Sequence, residues 1–191
     1  MGDPRAERTR SSTLDAAFQL LGDEGVQGAT VERIAECAGV HKTTVYRHWP
    51  ERVALLAEAL ETHLEAPPAP DTGSLRGDLI AAMSGLATTI STPPWSVLLP
   101  SLIAAAATDD RLAELHGVFT RRRRDMTMNV IDRGQRRGQL PAAVDASHLV
   151  DALAGAIIYR RLMTHEPIDS SYVEHHVDRM LDAFSQADRD R

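Results

Sequence analysis

The chain has 191 residues, 43% apolar and only 4% aromatic, so it can bury one sizeable core or two small ones, built mainly from aliphatic side chains and alanine. It contains no run of about 18 apolar residues and begins with a polar, charged segment, so neither a membrane-spanning helix nor a secretory leader is expected, and the expected location is the cytoplasm. A formal net charge of −6, with the first 65 residues also acidic, excludes a generally basic nucleic-acid binder, so any DNA contact must come from a local arrangement of charge.

Residues 13–25 place Leu14, Ala17, Phe18 and Leu21 at i, i+3, i+4 and i+7, one face of a helix, and Gly25 stands where a helix end needs positive φ. Residues 30–38 open on Thr30 as an N-cap and repeat Val31, Ile34, Ala35 and Ala38 at helical spacing. The one cysteine, Cys37, falls in this apolar pattern; it allows no internal disulfide or thiolate metal site and is expected to be buried. Gly39 makes a tight turn, and "VHKTTVYRHW" follows with Val45 and Trp49 at i and i+4. Pro50 stops that helix and opens the next, whose face is Val53, Leu56, Ala57, Leu60 and Leu64. "APPAP", residues 66–70, is stiff and extended, the best linker in the chain.

Beyond the linker, residues 74–90 carry Leu75, Leu79, Met83, Leu86 and Ile90 in helical register, and "STPP" ends that helix. Residues 95–107 are apolar almost all round, the mark of a buried helix. A helix capped by Asp109 or Asp110 runs past Leu115, Phe119, Met126 and Val130 to about residue 137. Residues 145–165 are rich in small side chains, and residues 170–186 carry two rows at i+4 spacing. No stretch alternates with period two. The expected fold is all-α, about nine helices, in two domains at 7–67 and 74–188.

Helix, glycine turn and short helix, over residues 30–49, is the arrangement of a helix-turn-helix DNA reader, in which the second helix enters the major groove. Such a helix must bury one side and expose hydrogen-bonding groups on the other. Val45 and Trp49 supply the buried side, leaving Lys42, Thr43, Thr44, Tyr46, Arg47 and His48 for DNA. Lysine and arginine reach guanine edges or phosphates, threonine offers a hydroxyl and a methyl, and tyrosine and histidine reach phosphate oxygens. Lys42 is the only lysine in the chain.

The runs "LDAAFQLLGDEG", "ATVERIAECAGVHKTTVYRHW" and "ERVALLAEAL" closely resemble the N-terminal domain of the TetR family of transcriptional regulators. The resemblance covers about a third of the chain. It implies phosphate contacts from Thr30, Tyr46 and Arg52, and places Gly39, Thr43, Thr44 and His48 at matching motif positions. Two residues depart from the family pattern. His41 stands where many members carry serine, so the helix cap is weaker or made differently. Glu32 stands where some members carry a base-reading cation, and can pair with a basic neighbour or accept from a cytosine amino group. The resemblance further implies a homodimer, a palindromic double-stranded DNA operator, and release by a small effector.

The sequence agrees with a dimer. Tyr172, His176, Met180 and Phe184, and Val173, Val177 and Leu181, form rows that would be an exposed patch on a monomer. Met83, Trp95, His116, Phe119, Met126, Tyr159 and Met163 are candidates for the lining of an effector cavity, one that favours an apolar small molecule. "RRRR" at 121–124 cannot share one helix face and reads as a solvated exterior, with Asp125 four residues after Arg121. No Glu-x-x-His pair, catalytic triad spacing or phosphate loop stands out, so no metal, cofactor or catalytic site is expected. The runner-up is a helical small-molecule carrier or enzyme without a DNA role.

Overall fold

In the computed structural model, residues 4–63 and 68–187 are described; they form helices joined by loops, with no strand among them. Among the described residues nine α-helices follow in chain order: α1 Pro4–Gly28, α2 Val31–Ala38, α3 Lys42–His48, α4 Arg52–His63, α5 Leu75–Ser91, α6 Trp95–Ala106, α7 Asp110–Arg136, α8 Ala146–Tyr159 and α9 Ser170–Ala187. A π-helical turn, Arg160–Thr164, extends α8. Leu64 and part of the expected linker lie outside the described residues.

The chain forms two compact units that the linear sequence interleaves. One holds residues up to 65 together with 92–118; the other holds 66–91 and the chain from 119 onward. The expected domains, 7–67 and 74–188, are each continuous in sequence, whereas these compact units are not. Helix α6 and the start of α7 belong with the N-terminal helices.

In the first unit, the expected face of α1 is buried: Leu14, Ala17 and Leu21 are at most 6% exposed, with Phe18 packed at the edge. They share one core with Ile34, Val45, Trp49, Leu55, Leu56 and Leu60, and with Leu98, Leu102 and Ala105 of α6. Helix α6 packs along α1. Leu98, Leu102 and Ala105 recur at i, i+4 and i+7, so a single face makes that contact. The opposite face is open: Val97 is 38% and Ile103 40% exposed. This corrects the expectation of a helix buried all round.

Gly25 sits where α1 bends, at φ 70, ψ −172. That region of backbone space is essentially closed to other residues. A Cβ there would also lie 2.7 Å from Cβ and Oγ of Ser101 on α6, and the Ser101 hydroxyl accepts the Val26 N–H at 3.1 Å. Ser101 thus supplies the hydrogen bond that the bend leaves open.

In the second unit, α5 packs on α8 and α9. Leu75, Leu79, Met83, Leu86 and Ile90 of α5 are buried as their spacing requires, as are Leu149, Leu153 and Ile157 of α8. Val173 and Val177 of α9 are 2% and 0% exposed within the chain itself. They belong to this unit's core and have no surface left for a partner, which corrects their assignment to a subunit contact.

Asp78 anchors the start of α5. It is 1% exposed and accepts from the Thr72 N–H at 2.5 Å, the Thr72 hydroxyl at 2.8 Å and Arg133 Nη2 at 2.7 Å. Burial alone would push its carboxyl up, but the Thr72 donors and the Arg133 guanidinium outweigh burial and hold it below the usual value.

Candidate nucleic-acid interface

Helix α2 starts from Thr30, whose backbone is extended and whose hydroxyl accepts the Arg33 N–H at 3.4 Å. It ends on Gly39 in the left-handed region, φ 66 and ψ 33, where the glycine N–H reaches back to Glu36 O at 3.1 Å. No atom would meet a Cβ at Gly39, so backbone geometry alone demands the glycine. Helix α3 opens on His41, which makes no side-chain cap bond.

Only Val45 of α3 is fully buried, at 1% exposure, with Trp49 following at 4%. The indole N–H of Trp49 donates to Glu58 Oε2 at 2.8 Å, the Arg10 guanidinium lies 5.1 Å from the ring centroid, and Arg10 also pairs with Glu58. Trp49 is therefore fixed by a carboxylate from α4 and a cation from α1. Neither Glu58 nor Arg10 was singled out from the sequence, because no spacing rule links them to Trp49.

With that side held, Lys42, Thr43, Tyr46 and Arg47 are exposed together on α3, and Thr44 is half-buried beside them. Lys42 Nζ contacts Glu32 Oε1 at 2.9 Å. The hydrogen bond from Lys42, ahead of its charge, holds the Glu32 carboxyl below the usual value. Of the two roles left open for Glu32, the free chain shows the basic neighbour. Both side chains are more than half exposed, so water and salt screen the pair and DNA can displace it.

Two expected DNA contacts are placed differently. His48 stands three residues after Val45, on the inward side, and its Nε2 is buried without a partner. Arg52 is spent within the chain: its Nε donates to Ala29 O at 2.9 Å and its Nη2 to Val26 O. Val26 lies in the last turn of α1 and Ala29 just beyond it, where helical partners run out, and the guanidinium takes up both carbonyls. Cys37 is exposed rather than buried, on the outer side of α2 away from Val31, Ile34 and Ala35.

The residues proposed to line an effector cavity fall in both units. Trp95 packs against the first unit's core, and His116 is half-buried, its imidazole held below the usual pKa by that burial. In the second unit Met83 and Met126 are buried and Phe119 half-buried. Tyr159 and Met163 are 61% and 66% exposed. Two residues past Ile157, Tyr159 has turned about 200° from the inward face of α8, so both belong to the surface rather than to a cavity wall.

On α9, Tyr172 stacks on His176 at 6.0 Å under the Arg160 guanidinium, which is 4.3 Å from the ring. Phe184 meets His148 edge-on at 5.4 Å, and Met180 and Leu181 are half-buried. Among the described residues no helix is long and apolar enough to cross a membrane, and no group of three or more His, Cys, Asp or Glu could hold a metal.

A short helix anchored on one side and lined with hydrogen-bonding side chains on the other, set behind a capped helix and a glycine turn, defines a helix-turn-helix DNA-binding protein. Comparison with known proteins narrows the class. Residues 14–59 match the model described as bacterial regulatory proteins, tetR family, and residues 69–180 match the tetracyclin repressor-like C-terminal domain. The uncharacterized HTH-type transcriptional regulator YdeS of Bacillus subtilis is 34% identical over 96% of this chain and 91% of its own length. The DNA-binding transcriptional repressor TetR of Mycobacteroides abscessus is 31% identical over 93% of this chain and 94% of its own. The crystal structure of the TetR family transcription regulator SCO0332 superposes with a TM-score of 0.70 at 35% identity, covering 91% of this chain and 97% of that one. A TetR regulator from Agrobacterium tumefaciens shares the fold, with a TM-score of 0.74 at 22% identity over 92% and 93% of the two chains. The chain belongs to the TetR family and is a DNA-binding transcriptional regulator. Its relatives are regulators, not enzymes.

Proposed function

We propose that this regulator is a cytoplasmic repressor that binds a palindromic operator as a homodimer and leaves it when a small, largely apolar effector binds. The observation that carries the proposal is the exposed set Lys42, Thr43, Tyr46 and Arg47 on a helix whose other side is fixed by Val45 and Trp49. Such a reader is short and covers few base pairs, so a second copy across a two-fold axis supplies the rest of the site, about one DNA turn away.

The surface of the second unit supports a dimer. Along α8, Ala152 and Gly155 leave room for close approach, and a Cβ added at Gly155 would meet nothing. Ile158, Tyr159 and Met163 continue outward as large exposed apolar side chains. Unpartnered, they would form an apolar patch on the monomer. Tyr172, His176, Met180, Leu181 and Phe184 flank them on α9 and complete the proposed contact. Met83, Phe119 and Met126 provide the adaptable apolar side chains an effector would need. Coupling of effector to DNA is expected at about 1–3 kcal/mol.

A gel shift with DNA from upstream of the chain's own gene, with and without candidate effectors, tests this. Operator binding no tighter than binding to random DNA at physiological salt would overturn it.

A further inference from the structure

Four arginines follow one another on α7, and a turn of 100° per residue sends them to different sides. Arg121 and Arg122 are exposed. Arg124 reaches α8, where it pairs with Asp151 and donates to Ser147 O at 3.1 Å. Arg123 is turned elsewhere. It is half-buried, and its Nη2 donates to the neutral Thr89 hydroxyl of α5 at 3.1 Å. Its Nε is buried with no partner, and no carboxylate among the described residues lies within ion-pair distance. The sequence reading of this run as a solvated exterior therefore fails at its third and fourth members.

Arg124, Arg133 and Arg160 are also half-buried in this unit, and each holds a carboxylate. Arg161 is half-buried as well, but none of its side-chain nitrogens is buried without a partner. Among these five, Arg123 alone combines a buried, unpartnered Nε with the absence of an ion pair. Burial holds it below the usual arginine value, with no neighbouring anion to raise it. Its neighbours on the same helix face are apolar or neutral: Phe119 four residues before, buried Met126 three after and buried Thr127 four after. An unpaired guanidinium set into such a strip costs stability, and an anion that arrives later recovers it.

We infer that Arg123 is the anchor for the carboxylate of an apolar organic acid, which is the effector class of this regulator; the assignment rests on the effector response proposed above. A guanidinium presents its donors in a fork that fits a carboxylate. With Nη2 on Thr89, the unpartnered Nε edge remains for the acid. One cation compensates one charge, so a monoanion fits where a dianionic phosphate would leave charge uncompensated. Phe119 and Met126 then meet the apolar body of the acid.

The test uses the full-length protein with decanoate and 4-phenylbutyrate as acids, and decanol and 4-phenylbutanol as neutral partners. Melting temperature, calorimetric affinity and operator gel shift are read for wild type, Arg123→Gln and Arg123→Lys. At least one acid should raise the wild-type melting temperature and weaken operator binding at millimolar concentration, more strongly than its alcohol. Arg123→Gln should lose about tenfold or more in affinity for the acid, the worth of a charge-assisted hydrogen bond. Arg123→Lys should keep part of it. Without ligand, Arg123→Gln should melt no lower than wild type, because it removes an uncompensated charge; a purely structural arginine would give the opposite sign. Alcohols binding as tightly as acids, no acid binding, or a destabilised Arg123→Gln would each overturn the assignment. If ligand-free wild type fails to bind operator, the repressor proposal itself fails; if it binds operator but answers only to neutral compounds, only the assignment of Arg123 fails.

Discussion

Replacing Gly25 with alanine separates two costs that the structure assigns to one position. The first is conformational: φ 70 with ψ −172 is a region a residue with a Cβ avoids, at about 1–3 kcal/mol. The second is steric: the new Cβ would stand 2.7 Å from both Cβ and Oγ of Ser101. Ser101 must move, and it carries the hydrogen bond to the buried Val26 N–H. Losing that bond adds about 1–3 kcal/mol. The sum, about 2–6 kcal/mol, corresponds to a fall in melting temperature of roughly 5–20 °C for a chain of this size. Gly39 is the internal control. It also has positive φ, but nothing lies within 4 Å of its missing Cβ, so Gly39→Ala should cost only the left-handed penalty of about 1–2 kcal/mol. Thermal unfolding followed by circular dichroism compares the two. If Gly25→Ala melts within a degree or two of wild type, or if Gly39→Ala is the more damaging, the packing of α6 on the α1 bend is wrong.

Other outcomes follow from the same geometry. Lys42→Ala should lower the operator-to-random affinity ratio by about tenfold through a lost guanine contact, while Tyr46→Phe should weaken both DNAs alike; equal affinities in wild type and both variants would refute the placement of α3. His48→Gln should leave the salt dependence of DNA binding unchanged because its ring is turned inward, and a slope shallower by about one phosphate would contradict this. Ile158→Glu should yield monomers by light scattering, whereas Val177→Glu should unfold the second unit, since that side chain is 0% exposed. Asp78 has a lowered carboxyl pKa, so its contribution to stability is complete above the unfolded value near 4 and is lost as pH falls through the lower folded value. Wild type should therefore lose melting temperature on acidification below about 4 more steeply than Asp78→Asn, which should already be less stable at neutral pH.

Wherever local rules suffice, the linear sequence determined the outcome. The rows Leu14, Ala17, Leu21 and Leu75, Leu79, Met83, Leu86 are buried because helical period fixes which residues share a face. Thr30 caps and Gly39 turns because only those residue types satisfy an open N–H or a left-handed backbone cheaply. The DNA-reading motif is a chain of such local choices, which is why most of it could be read in advance. His48, expected on the DNA face, is the exception: its three-residue spacing from Val45 turns it inward, a signal the motif match overrode. What period leaves open is the partner that covers each face. Helix α6 is apolar almost all round, so its pattern named no preferred neighbour; tertiary packing put Leu98 and Leu102 on α1 and left Val97 and Ile103 open. The rows of α9 announced burial, and only the fold decided that Val173 and Val177 meet their own chain. Arg52 and Arg123 show the same limit for charge. A guanidinium on a long flexible stem reaches whatever acceptor the fold brings near: two carbonyls at the end of α1 for Arg52, and a single threonine hydroxyl for Arg123.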